Sequence, residues 1–153
     1  MSAQFLETRA LKYEFEVTMR GSRDLVWSTL TEATTDWWLP EFHMVGPESK
    51  VTLDARAGGQ LLEVTAGGDS LLWYTVIMCL PQKALHLVGH VGPNWGGPAT
   101  TMLTLSLQDR DEGRCTLRVQ DALFGHLSEQ SARSLEDGWR QLFENGLKTR
   151  VEA

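Results

Sequence analysis

Along residues 11–19 hydrophobic and polar side chains alternate without a break. Leu11, Tyr13, Phe15, Val17 and Met19 share one parity, and Lys12, Glu14, Glu16 and Thr18 share the other. Successive strand residues point to opposite faces, so this period of two predicts a half-buried β-strand. Gly21 and Ser22 end it. Ser22 is placed to cap a helix, with Asp24 in the first turn, where the helix dipole favours negative charge. Val26, Trp27, Leu30 and Ala33 then recur at helical spacing. That helix, or a second short one after a kink near residues 31–34, must stop by Leu39, because Pro40 disfavours a helical residue before it.

From residue 50 the period returns to two. Segments 50–55, 58–66, 70–80, 84–91, 100–108 and 114–124 read as strands. They are separated by turn signals: Gly67-Gly68-Asp69, Pro81-Gln82, the long Gly/Pro loop 92–98 and the acidic turn 109–113. With the first strand this makes seven, and the short connections argue for one mostly antiparallel sheet. From Ser128 the pattern becomes helical again. On a 100° wheel Ala132, Leu135, Gly138, Trp139, Leu142, Phe143 and Gly146 form one face. Two glycines on the apolar face of a helix each cost about 1 kcal/mol relative to alanine, so close approach to another element is the expected return. The order predicts an α+β fold in which the terminal helix covers one face of the sheet. A strongly twisted sheet around a single helix leaves space between them, and that space is the candidate site.

The remaining bulk properties narrow the function classes. A chain of 153 residues is long enough for one domain, residues 1–153, that buries about two-thirds of its unfolded surface. The formal charge is −6 and no Lys/Arg cluster stands out, which argues against nucleic acid as the partner. The N-terminus lacks a basic region followed by an apolar run, and no apolar stretch reaches the length of a membrane span. Cys79 and Cys115 lie far apart in apolar runs and read as free thiols in a reducing compartment. These features predict a soluble, cytoplasmic protein without a membrane partner.

The stretches "SRDLVWSTLTEATTDWW", "RAGGQLLEV" (56–64), "GRCTLRVQD" and "EDGWRQLFENGLK" (136–148), in this order, resemble the SRPBCC superfamily, whose START-like domains have the helix-grip fold. Within it the chain is most similar to the branch of activator of heat-shock-protein ATPase homologues. The resemblance implies a seven-stranded, mostly antiparallel sheet wrapped around a long C-terminal helix, with two short helices after the first strand. It also implies a cavity between sheet and helix, usually apolar. It does not imply one chemistry. Relatives include ligand carriers, cyclases or aromatases, and chaperone-binding proteins, and the full chaperone activators carry a further domain.

Five of the six tryptophans supply most of the candidate site. Trp37 and Trp38 are adjacent, and one flat packing surface cannot easily absorb both rings. In the helix-grip arrangement one ring would anchor the cap after the first strand, while the other, with Phe42, would edge the opening. Plain packing of both is the alternative. Trp95 sits among residues that cannot anchor it, as a flap over a pocket mouth or as the pin of its own loop. Trp139 faces inward from the helix, as core or as cavity wall. Trp73 and Tyr74 put one large ring on each side of their strand, and the sequence leaves open which is inside. Asp121 shares the apolar parity of Leu117, Val119 and Leu123, and a carboxylate there must be paired or wet. It reads either as a polar anchor inside the cavity, near His126, or as a residue past the strand's end that reaches solvent.

His86 and His90 share the face opposite Leu85 and Leu87, about 13 Å apart, too far to ligate one metal together. His43 and His126 fall in loops. No metal and no cofactor is expected, and no nucleotide-binding or nucleophile motif occurs. The leading expectation is a small apolar or aromatic ligand held between sheet and helix by Trp37, Trp38, Phe42, Trp73, Trp95, Asp121 and Trp139, with a homodimer as the one protein partner admitted. The alternative is a cyclase- or aromatase-type enzyme with Asp121 or a pocket histidine as base. The third is a chaperone-activator-like interaction through the outer sheet face.

Overall fold

The computed structural model of the protein describes residues 2–153. Strand β1 (Arg9–Arg20) carries the alternation noted above, with Phe15, Val17 and Met19 buried. Ser22 caps helix α1 (Arg23–Glu32), its side chain accepting from the Leu25 N–H. After one residue a four-residue helix α2 (Thr34–Trp37) follows, and Trp38 leaves it in an extended conformation that leads to Pro40. Six strands come next: β2 (Lys50–Leu53), β3 (Gln60–Val64), β4 (Ser70–Leu80), β5 (Ala84–Val91), β6 (Ala99–Arg110) and β7 (Arg114–Gly125).

All seven strands form one sheet in the order β1-β7-β6-β5-β4-β3-β2, antiparallel throughout. Pairing of the first strand with the last fixes the inner face, because Phe15, Val17 and Met19 lie opposite Val119, Leu117 and Cys115. Outward, the same two strands exchange charges, with Arg118 bonded to Glu14 at 2.9 Å. β5 places Leu85 and Leu87 inward and His86 on the other face, as the alternation predicts.

The C-terminal helix covers the inner face. Ser128 caps it by accepting from the Ser131 N–H, and it runs as α3 (Glu129–Gln141), a wider π-helical turn (Leu142–Leu147) and a last α-turn (Lys148–Val151). In the π-turn the Lys148 N–H reaches back to the Phe143 carbonyl, five residues earlier. The two halves are not equally buried. Trp139, Leu142, Phe143, Leu147 and Val151 belong to the core, whereas Ala132 and Leu135 at the other end are only half-buried. The close approach expected of the two glycines differs between them. A Cβ on Gly146 would collide with the Trp37 carbonyl, while one on Gly138 would meet the end of the Phe42 ring at 3.3 Å. The architecture is the helix-grip α+β fold.

Alanine has the higher helix propensity, yet the two positions respond oppositely. Gly146→Ala must push the helix off a rigid carbonyl and loses about 1–3 kcal/mol of stability. Gly138→Ala meets a ring edge that can turn aside, so it stays within about 0.5 kcal/mol of the parent or gains part of the propensity term. Urea unfolding of both variants reads the contrast, and equal losses would show that the Trp37 carbonyl is not a fixed stop.

Candidate functional site

Because the second half of the C-terminal helix is held down and the first half stands off, the inner face is filled at one end and open at the other. A pocket of about 460 Å³ occupies the open end. Its floor is sheet: Leu71–Tyr74 of β4, Val91 of β5, Thr101 of β6 and Leu123 of β7. Its roof is the helix from Ser128 to Leu142, and its mouth carries Phe42, Met44 and Trp95. No Asp, Glu, Lys or Arg side chain lines it. The polar groups are hydroxyls of Ser128, Ser131, Ser134, Thr101 and Tyr74, with Gln130 and His90 near the rim.

Aromatic rings set the pocket's inner end. Trp38 is the hub, with its ring 5.3 Å from Trp73 and 6.2 Å from Trp139, both edge-on. Trp139 in turn stacks on Phe143 at 5.2 Å and lies 5.6 Å from Tyr74. Edge-to-face and offset contacts of this kind add about 0.5–1.5 kcal/mol each beyond the area they bury. Trp38 donates to the Phe42 carbonyl at 2.9 Å, which fixes the short 3₁₀ turn that carries Phe42. The Trp139 indole N–H is buried and directed toward the Tyr74 hydroxyl, without forming a hydrogen bond of good geometry.

Five of the seven residues expected at the site stand in its wall: Trp38, Phe42, Trp73, Trp95 and Trp139. Trp37 and Asp121 do not. Trp37 packs on Phe143 in the core and donates to the Thr29 carbonyl. The expected division of labour between the two adjacent tryptophans is therefore corrected in one respect. Trp37 anchors the cap, but Trp38 is 3% exposed and lines the interior instead of edging the opening. Trp95 is 51% exposed in a short 3₁₀ turn, Pro93–Trp95, with the following Gly96 packed close to Ser131. Of the two rings on β4, Tyr74 is buried inward, while Trp73 reaches the pocket from beside the β3–β4 bulge at Leu61/Leu62.

Asp121 is 2% exposed, so the solvent-facing alternative is excluded. It sits one side chain behind the wall. Tyr13 donates to its Oδ2 at 2.7 Å and Thr101 to its Oδ1 at 2.6 Å, while the Tyr74 hydroxyl lies 3.2 Å from Thr101 Oγ1. Burial pushes the Asp121 carboxyl above the usual aspartate range, and the bonds from Thr101 and Tyr13 only partly offset this. Burial, with the nearby Asp121 charge second, also raises the Tyr13 and Tyr74 phenols, so both stay protonated. His126 is not near this group. Gly125 turns the chain at φ 135°, and His126 bonds the Glu7 carbonyl instead.

A second buried carboxylate was not legible in the sequence. Glu63 has no exposed area and accepts from four donors: the Met44 and Val45 N–H groups, Ser49 Oγ and Trp73 Nε1. It ties the loop that carries Met44, and the Trp73 ring, to the sheet. Burial alone would raise its pKa. The bonds from Val45, Ser49, Met44 and Trp73 together hold it below the usual glutamate value. Parity with Leu61 was the available signal, and the competing apolar pair Leu62 and Val64 masked it. Among the described residues no group of three or more His, Cys, Asp or Glu is placed to hold a metal ion. No helix among them is long and apolar enough to cross a membrane.

No family model and no curated protein sequence matches the chain. Solved structures share its fold. An uncharacterised protein from Rhizobium leguminosarum superposes with a TM-score of 0.73 at 12% identity, over 97% of this chain and 99% of the other. A protein from Chromobacterium violaceum gives 0.65 at 18% identity, over 93% and 97%. A point mutant of norcoclaurine synthase from Thalictrum flavum, in complex with a transition-state analogue, gives 0.61 at 13% identity, over 96% and 97%. At these identities the likeness concerns the fold.

Glu63→Gln points an amide N–H₂ at a ring of donors. It is expected to cost about 2–3 kcal/mol at neutral pH, from donors left unpaired. Because the folded-state pKa of Glu63 is lowered, its contribution is fully present above the ordinary value of about 4.5 and is lost as pH falls through the folded value. The difference between parent and variant therefore shrinks below about pH 4.5. Denaturant melts of both proteins at neutral and acidic pH measure it, and a gap that does not change with pH would contradict the assignment.

Proposed function

We propose that the protein binds a small, uncharged aromatic or hydrophobic molecule in the pocket between sheet and C-terminal helix. The observation that carries this reading is the composition of the wall: aromatic and aliphatic side chains with hydroxyls and no Asp, Glu, Lys or Arg, around about 460 Å³. That volume lies in the range of small-molecule sites, about 300–1,000 Å³. An ionic ligand would lose its hydration there without gaining a counter-charge. The structural likeness to a norcoclaurine synthase caught with an analogue supports the reading at the level of fold only. Within the superfamily we place the chain beside the activators of heat-shock-protein ATPase homologues on the sequence stretches that resemble them, and the pocket reading does not depend on that placement.

Binding is favoured over direct acid–base catalysis for a geometric reason. A general base must come within hydrogen-bond reach of its substrate proton. Asp121 stands behind Thr101, His126 bonds elsewhere, and the one histidine of the lining, His90, is exposed at the rim with its Nδ1 3.3 Å from Thr100 Oγ1.

The test is occupancy with and without the space. Native mass spectrometry of freshly purified protein is expected to show an added mass that is lost on denaturation, or uptake of an added neutral aromatic such as naphthalene derivatives. Leu135→Trp fills the roof of the pocket from a half-buried position and should abolish both while the protein keeps its thermal midpoint within a few degrees. Undiminished uptake by this variant would place the ligand elsewhere.

A further inference from the structure

The hydroxyl groups behind the pocket wall are not free to point either way. An ionised carboxylate is an acceptor only. Thr101 donates its single proton to Asp121 Oδ1 at 2.6 Å, and Tyr13 donates its own to Oδ2 at 2.7 Å. The 3.2 Å bond between Tyr74 and Thr101 can then run only one way, from the Tyr74 hydroxyl to Thr101 Oγ1. The Tyr74 oxygen is left with lone pairs and no proton to offer. Beside it stands the Trp139 indole N–H, buried and directed toward the Tyr74 oxygen but without a well-formed bond to it. Tyr74, Thr101 and Trp139 all belong to the pocket wall, and Asp121 does not.

We infer that Asp121 sets the polarity of the pocket's inner end, making it a subsite for a hydroxyl-bearing aromatic ligand, a phenol or naphthol, that donates its proton to the Tyr74 oxygen. This rests on the binding reading above and narrows its ligand class. An ether or ketone of the same shape has only acceptors and meets another acceptor. A hydroxyl answers both neighbours, since it donates to Tyr74 and its own oxygen can accept from the Trp139 N–H. The indole nitrogen is buried, so this second bond forms only as the ring turns onto the ligand. No proton changes owner in this arrangement. Asp121 acts through Thr101 and Tyr74 and is a positioning residue.

Paired probes test it: 2-naphthol against 2-methoxynaphthalene, titrated into the protein by isothermal calorimetry at neutral pH. The parent is expected to favour the naphthol by about three- to tenfold, the ratio of one neutral hydrogen bond. Tyr74→Phe removes the acceptor and should bring the ratio to about one. Asp121→Asn restores a donor to the chain, lets it run in either direction, and should also erase most of the preference. A parent that binds both probes equally overturns the inference and leaves the pocket reading standing. A parent that binds neither overturns the pocket reading itself. A naphthol preference that survives in Tyr74→Phe also overturns the inference, by placing the hydroxyl somewhere else in the pocket.

Discussion

The Trp37 carbonyl rests against Gly146, where no side chain intervenes, and the remaining architecture follows from that contact. It brings α2 and the π-turn of the C-terminal helix to backbone distance. Phe143 can then lie under both Trp37 and Trp139, at 5.9 and 5.2 Å. A helix is a nearly straight rod, whereas a sheet of seven strands twists by about 20–25° from each strand to the next. A straight cover held down at one end of a twisted surface separates from it at the other. The pocket is that separation, and the glycine that permits the tight end is the reason the loose end exists. The aromatic cluster then stops the gap from closing, because Trp38, Trp73 and Trp139 fill the boundary between them.

The strands were legible because alternation is a local property of strands. β1 and β7 carry it over long runs, and their pairing merely brings two such runs into register. The long helix was legible for the same reason, with its glycines marking the face that comes close. What depended on the backbone changing direction was not legible. Trp37 ends a helix and Trp38 is extended, so the 100° separation of helical neighbours does not hold across that bond, and both rings turn inward. The inward parity of Asp121 was readable, but parity ends where Gly125 bends the chain, and so His126 points away. Nor could spacing reveal that the partners of Asp121 come from β1 and β6, a relation created by the order of strands in the sheet.

Solved structures with 12–18% identity share this fold, so the fold tolerates replacement of nearly every side chain. The character of this pocket therefore belongs to its own residues. Two features give it a distinct chemistry: a wall without Asp, Glu, Lys or Arg, and carboxyl groups placed immediately behind it. A carboxylate in the wall would favour cations. One side chain further back, it acts only through the hydroxyls that it orients.

Glu63 and Asp121 show how the number of donors decides what a buried carboxylate does. Glu63 receives four hydrogen bonds, two of them from backbone N–H groups that cannot turn away. Those bonds outweigh its burial and hold it ionised, and the loop with Met44 is fixed as a consequence. Asp121 has two rotatable hydroxyls and the Ala122 backbone against a larger burial, and its pKa is raised. The first carboxylate is a rivet for the pocket's mouth. The second takes its side-chain bonds from hydroxyls that must point at it, and through Thr101 that requirement passes to Tyr74. The pocket thus has a rigid rim and an inner end whose polarity is set from behind the wall.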